Sequence, residues 1–206
     1  MYKNIKVIIF DVDGTLYNLK LMRFLILIEL LFSLFIFQIS LKEILILKKY
    51  REQRELMSNL SIEGLKNRHF DIISNNLKIN RSILVKVVIE WIYKRPLKYL
   101  LIVRNIKLKK TIEKYKKEGL DIYFYSDYPL YHKMKKMKYN FNSNLYWSSL
   151  DYEISSFKPN PFFLFFLQKK FNYNKDEILF VGDRVDRDKK IADNFGCEFT
   201  HIKDFK

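Results

Sequence analysis

Val7-Ile8-Ile9-Phe10-Asp11-Val12-Asp13-Gly14-Thr15-Leu16 is the stretch on which the reading of this chain turns. Its first four residues are apolar without alternation, and three of them are β-branched. Such a run is the mark of a strand buried on both faces, as in a parallel sheet covered by helices. Asp and Gly are poor strand formers, so the strand is expected to stop at or just before Asp11. Asp11 and Asp13 then stand just past its carboxyl end, and in an open α/β sheet that crevice is where ligands bind. Two acids so close repel each other unless a cation or a shared proton relieves them. A plain polar turn, with Asp13 or Thr15 capping the next helix, would use the same residues. The remainder of the chain decides between the two.

From Asp121 onward, strands and helices alternate. Ile122-Tyr123-Phe124-Tyr125 reads as a second strand ending in Ser126-Asp127, followed by a short basic helix, Tyr131–Lys138, and a strand around Leu145–Ser148. Ser156-Phe157-Lys158-Pro159-Asn160-Pro161 is a loop, and Pro161 suits the start of an apolar helix over Phe162–Phe171. Ile178-Leu179-Phe180-Val181 is another buried strand, running into Gly182-Asp183-Arg184-Val185-Asp186-Arg187-Asp188. A helix over Lys189–Phe195, Gly196 as its cap and a strand over Glu198–Ile202 follow. This alternation implies a parallel sheet with helices on both faces.

Residues 17–118 read instead as an all-helical insert. The expected helices are an apolar one centred on Phe24–Leu41, then Lys42–Leu60, a third capped by Ser61 and running to Leu77, Ile83–Tyr93 capped by Ser82, and Leu97–Glu118 closed by Gly119. The apolar segment approaches the ~20 residues of a transmembrane helix. However, a single crossing would separate Asp11 from the later strand ends. The best second span, Ile83–Val103, carries Lys86, Glu90, Lys94, Arg95 and Lys98, which are costly in a bilayer. Glu29, Ser33 and Ser40 share roughly one helical face. The reading is therefore a helix packed inside the insert or in a dimer interface, because helices apolar nearly all round are usually buried. The rival reading is a helix resting on a membrane surface.

The net charge of +15 over 206 residues is concentrated in this insert, where 22 Lys/Arg stand against 9 Asp/Glu, a net of +13. A basic lobe beside a carboxylate-lined site attracts anionic substrates or an anionic membrane face. No nucleic-acid-binding motif accompanies the charge, and none is expected as a partner. With 49% hydrophobic residues the chain is not disordered. The single cysteine, Cys197, suits a reducing compartment, and no secretory signal precedes the first strand. The expected location is the cytoplasm, with peripheral membrane contact as the rival reading.

The strand ends thus carry Asp11 and Asp13, then Ser126, then Asp183, Asp186 and Asp188, with Lys158 in the proline-flanked loop. Oxygen ligands at such an edge suit a hard cation, and a lysine and a hydroxyl would complete a phosphate site. In this order, Asp-Val-Asp-Gly-Thr-Leu, Tyr-Ser-Asp, Lys-Pro-Asn-Pro and Gly-Asp-Arg-Val-Asp-Arg-Asp, the chain resembles the haloacid dehalogenase (HAD) superfamily, in the branch with a helical cap between the first and second motifs. The resemblance implies a Rossmann-like catalytic core of residues 1–16 and 119–206 with a cap over 17–118. It implies Asp11 as nucleophile forming an aspartyl-phosphate and Asp13 as general acid/base. It further implies Mg²⁺ on Asp11, Asp183 and the Asp13 carbonyl, phosphate binding by Ser126 and Lys158, and a supporting role for Asp188 through a metal-bound water or Lys158. Asp127 is placed with Ser126 in phosphate binding, although on its own it reads as a turn residue. The acid at Asp13 favours phosphate esters over carbon–halogen bonds, since the dehalogenase branch lacks it.

The expected activity is Mg²⁺-dependent hydrolysis of a phosphate monoester, the substrate being a phosphorylated small molecule, lipid-linked if the membrane reading holds. A phosphomutase using the same two aspartates is one rival, and a membrane-peripheral interaction protein working through the basic, apolar cap is another. Asp186 is expected to be a solvated loop residue or helix cap, and Arg184 and Arg187 are read either as solvated or as within reach of substrate. His69, His132 and His201 lack metal-ligand spacing and are read as structural or surface residues.

Overall fold

The computed structural model describes residues 4–139 and 142–205. Five parallel strands, β1 (Val7–Asp11), β2 (Asp121–Ser126), β3 (Tyr146–Ser148), β4 (Ile178–Gly182) and β5 (Glu198–His201), form one sheet in the order β3-β2-β1-β4-β5. The α/β Rossmann-like architecture is thus present. Side chains alternate across the pleat, so each apolar run supplies both faces. Ile8, Phe10, Ile122, Phe124, Leu179 and Val181 face one layer. Val7, Ile9, Tyr123, Tyr125, Ile178 and Phe180 face the other, covered by Phe163, Leu164 and Leu167 of one helix (Phe162–Phe171) and Ile191, Ala192 and Phe195 of another (Lys190–Phe195).

Between β1 and β2 lie α1 (Leu19–Phe35), α2 (Leu41–Leu56), α3 (Leu65–Leu77), α4 (Arg81–Val88), α5 (Leu100–Val103) and α6 (Ile106–Lys117). Leu108 and Ile112 of α6 pack with Ile8, Phe10 and Phe124 on the sheet. The helices from α1 to α5 are called the lid here. Two isolated antiparallel bridges, Tyr17 with Arg104 and Ser61 with Ser156, tie the lid to its own base and to the core.

Several helix boundaries differ from expectation, each for a local reason. The apolar helix does not run to Leu41. It ends at Phe35, the chain turns through Phe37 at φ 57°, and α2 restarts on a capping box in which Ser40 and Glu43 satisfy each other's backbone amides. Ser40 is therefore a cap and not part of a polar stripe. Gly64, left-handed, stands at the start of α3 in place of Ser61, and Asn80 rather than Ser82 caps α4. Beyond α4 the chain widens into a π turn over Ile89–Lys94 and a 3₁₀ turn over Arg95–Lys98. The long helix expected over Leu97–Glu118 is interrupted at the extended Arg104, and α6 restarts with the Asn105 side chain as its cap.

The apolar α1 is not buried inside the lid. Met22, Ile26, Glu29 and Ser33 face inward, while Phe24, Leu27, Ile28, Leu31, Phe32 and Phe35 are exposed. Glu29 fixes this orientation. It accepts hydrogen bonds from Arg95 (2.9 Å), Lys98 (2.6 Å) and Tyr99 (2.9 Å), and Arg95 also donates to Ser33.

His69 is structural, as expected. Buried in α3, it places Nδ1 2.7 Å from the Leu65 carbonyl oxygen and stacks against Phe70. Burial, with the Arg54 charge adding to it, lowers its pKa to about 4 although the Leu65 contact opposes this. A histidine held neutral in the fold contributes stability that is full above the unfolded pKa near 6.5 and is lost as pH falls toward 4. Denaturant titrations should therefore show His69 costing about 2–3 kcal/mol between pH 7 and pH 4.5. A His69→Phe variant should lose that part of the pH dependence, and an unchanged slope would refute the assignment.

Candidate active site

β1 lies between β2 and β4, so their carboxyl ends open on one crevice where the chain order reverses, the ligand-binding position of such sheets. Asp11 closes β1, Ser126 closes β2, and Asp183 follows β4 directly. Asp11 is buried; its Oδ1 accepts from Lys158 Nζ at 2.6 Å and its Oδ2 from Thr15 Oγ1 at 3.0 Å. Lys158 Nζ also donates to Asp188 Oδ1 at 2.8 Å. The other Asp188 oxygen accepts from the backbone amides of Asp183 and Arg184, at 3.1 and 3.0 Å. Burial and repulsion from Asp188 push the Asp11 pKa well above the carboxylate range, against the pull of Lys158. Burial alone would strip Lys158 of its proton, but Asp11 and Asp188 outweigh it and hold the ammonium well above the usual lysine range.

Carboxylate oxygens of Asp11, Asp183 and Asp188 lie within 4.8 Å of one another. Asp183 Oδ1 is buried with no hydrogen-bond partner among the described residues, and burial together with Asp188 raises its pKa. The loop after β1 makes room for it: Gly14 has φ +109°, and a side chain there would overlap the Asp183 carboxylate. An orphaned buried carboxylate oxygen in an all-oxygen donor set fits a hard divalent cation.

Asp13 has a different environment. Its carboxylate accepts from Ser126 Oγ at 2.5 Å, from the Tyr17 hydroxyl and from the Lys133 ammonium. Burial acts to raise its pKa, but the Lys133 charge and these hydrogen bonds outweigh burial and lower it. Two acids two residues apart are thus driven in opposite directions, because each meets a different set of partners. The cluster of three acids contains Asp188, to which the resemblance gives a supporting role, and not the Asp13 side chain.

A cavity of about 630 Å³ opens above these groups, with Asp11, Asp13, Ser126, Lys133 and Lys158 among its lining residues and Arg23 and Arg54 of the lid in its wall. The family model for haloacid dehalogenase-like hydrolases matches residues 5–196. The chain belongs to that family. Solved structures share the fold of this HAD-like hydrolase at low identity. The protein named HAD-hydrolase YfnB of Bacillus subtilis, bound to magnesium, is 13% identical over 95% of this chain and 87% of its own, with a TM-score of 0.64. A predicted phosphoglycolate phosphatase from Haemophilus somnus 129pt is 20% identical over 95% and 84%, with a TM-score of 0.56. A protein assigned as β-phosphoglucomutase from Thermotoga maritima is 16% identical over 95% and 84%, with a TM-score of 0.51. No curated protein matches this chain in sequence.

The hydrolase brings Asp11, Asp13, Ser126, Lys158, Asp183 and Asp188 together around one cavity. Asp127 also lines it, but its Oδ1 accepts from Ser149 Oγ (2.5 Å) and the Lys158 amide (3.1 Å), so this carboxylate anchors the lysine loop. Arg187, at the cavity wall, is buried, donating to the Lys158 carbonyl oxygen (2.5 Å) and to Glu55 of the lid (2.7 Å). Arg184 is half-exposed and grips the same glutamate at 3.1 Å to both oxygens, and also Asp186. These arginines hold the Glu55 pKa down at about 2 although burial opposes them.

Lys133, Tyr17, Arg54 and Glu55 were not singled out from the sequence. Arg54 donates to the Asp127 carbonyl oxygen at 3.2 Å and stacks 3.5 Å above the Phe157 ring. A basic helix after the Ser126 turn was legible, but which of its lysines turns inward depends on how Tyr131–Lys136 packs on the sheet.

Proposed function

We propose that this HAD-like hydrolase is a Mg²⁺-dependent phosphatase that cleaves a phosphate monoester through a phosphoaspartate on Asp11. The observation that supports this most directly is the pair of acids at the end of β1, each met by its own lysine, Asp11 by Lys158 and Asp13 by Lys133 together with Ser126 and Tyr17. An Asp11 carboxylate oxygen attacks phosphorus, the ester P–O bond breaks, and the departing oxygen takes a proton from Asp13. Asp13 then takes a proton from water, whose oxygen attacks phosphorus and breaks the bond to Asp11, releasing inorganic phosphate. A phosphate dianion competes for Ser126 and Lys133, and its charge raises the Asp13 pKa toward that of a proton donor. Lys158 balances the charge of Asp11 and phosphate, while Asp188 and Asp127 hold it in place.

Asp11, Asp183 and the Asp13 carbonyl would hold Mg²⁺, with Asp188 beside them. When bound, the ion would supply positive charge to the phosphoryl oxygens. The test is a panel of phosphate monoesters assayed for free phosphate with and without Mg²⁺, which also separates hydrolysis from phosphoryl return by a mutase. Asp183→Ala should raise the Mg²⁺ concentration for half-maximal activity about tenfold or more. Asp186→Ala, which loses an exposed ion pair with Arg184 and a long one with Arg187 (3.9 Å), should change it by less than about twofold. Equal effects would mean that the wrong acid has been assigned to the metal.

A further inference from the structure

We infer that the outward face of α1 and the start of α2 dock on an anionic lipid surface, and that the phosphate monoester taken up carries a hydrocarbon portion drawn from that surface. The inference rests on the phosphatase reading for the fate of the phosphate and on separate observations for the docking face. The first is the orientation of α1. Glu29 and Ser33 are 8% and 1% exposed, while Phe32 and Phe35 of the same helix and Phe37 just past its end are 62%, 80% and 95% exposed. Glu29 is anchored by Arg95, Lys98 and Tyr99, so rolling the helix to hide its apolar face would break three hydrogen bonds. The outward face is therefore held in place by specific contacts. Leu31, Leu41 and Leu45 of α1 and α2 are exposed as well, and large exposed apolar side chains in such number mark protein or membrane contact.

Charge selects the occupant. Lys20 lies four residues before Phe24 and Arg23 four before Leu27, while Lys48 and Lys49 follow Leu45 by three and four. At helical spacing these place cations at the ends of the apolar stripe. Residues 17–118 carry +13 of the chain's +15. A second copy of this chain would bring the same positive rim against itself, whereas an anionic bilayer complements it. No helix among the described residues is long and apolar enough to cross a membrane. An interfacial helix needs no such length.

The patch is continuous with the active-site cavity. Leu27 is half-exposed on the outer face and also lines the cavity, whose apolar wall continues through Met22, Ile26, Leu30, Ile92 and Leu97 down to the polar floor at Asp11 and Lys158. An apolar wall leading to a phosphate-cleaving floor suits an amphiphile with phosphate at one end.

Two measurements on the full chain test this. In co-sedimentation, the protein should bind vesicles of phosphatidylglycerol and phosphatidylcholine at low salt, and at least tenfold more weakly in phosphatidylcholine alone or at high salt. The variant F32S/F35S/F37S should lose at least tenfold in vesicle binding while cleaving p-nitrophenyl phosphate as the parent does. The surface variant K42E/K48E/K49E should weaken binding without touching the apolar face, keeping the test open if the first variant misfolds. With the unmodified protein, kcat/KM should rise at least tenfold from ethyl phosphate to octyl phosphate. Failure to sediment with anionic vesicles at low salt, unchanged binding in the lysine variant, a dimer that hides the face in their presence, or a flat chain-length series would overturn the inference. Absence of Mg²⁺-dependent p-nitrophenyl phosphate hydrolysis would instead overturn the phosphatase reading, whatever the vesicles show.

Discussion

Asp11→Asn should leave a folded protein whose turnover is lower by ~10⁴-fold or more, the scale seen when a catalytic nucleophile is removed. An amide is too weak a nucleophile to attack phosphorus and a poorer ligand for a divalent cation than a carboxylate. The fold should not suffer, because Asp11 is a source of electrostatic tension in the metal-free site. Burial and Asp188 push its pKa well up, and only Lys158 opposes them. In an amide of the same shape Oδ1 can still accept from Lys158, while Nδ2 can donate to the Thr15 hydroxyl, which reverses that bond. Phosphate release under saturating Mg²⁺, together with thermal unfolding in a chelator, checks both halves. Substantial turnover by the purified, folded variant would end the covalent mechanism.

Lys158→Met should be damaging in the opposite way, costing stability as well as activity. The ammonium bridges Asp11 at 2.6 Å and Asp188 at 2.8 Å, and both partners are buried. Removing one member of a buried ion pair costs about 3–5 kcal/mol, because the other is left uncompensated. For a chain of this size the melting temperature should fall on the order of 10 °C. The deficit should shrink as pH falls, since protonating Asp11, whose pKa is already raised, relieves the repulsion. It should also shrink when Mg²⁺ is added, because a cation among Asp11, Asp183 and Asp188 replaces part of the lost charge. Unfolding curves in chelator and in Mg²⁺, at two pH values, measure all of this. Parent-like stability in chelator at neutral pH would mean that Lys158 does not carry the charge balance of the site.

The core elements were legible because their signals are local. Val7–Phe10, Ile122–Tyr125 and Ile178–Val181 are apolar runs that only a doubly covered strand explains, and all three are strands within a residue of where the pattern places them. Their order along the chain, interrupted by helices, implies a parallel sheet, and a parallel sheet puts every strand's carboxyl end at one edge. The gathering of Asp11, Ser126 and Asp183 in one crevice follows from that edge once β2, β1 and β4 are neighbours, which the observed strand order supplies. Lys158 joins them from a loop, through the family resemblance of its proline-flanked motif.

What the chain's pattern did not determine lies where one residue type has several physically sensible uses. Ser40 fits a helix face or a cap, and the reciprocal bonds with Glu43 settle it. Lys133 is one of three lysines in Tyr131–Lys136, and only docking on the sheet decides which reaches Asp13. The orientation of α1 is the largest such case. Periodicity argued for burying so apolar a helix, yet a single glutamate found three donors from Arg95–Tyr99, a segment more than sixty residues later, and turned the apolar face outward. A hydrophobic pattern is additive along the sequence, whereas a buried charge must be met by partners at fixed positions in space. The sequence by itself determined the sheet, the crevice and the acids within it; tertiary contacts decided which lysine meets each acid and which way the lid's apolar helix faces.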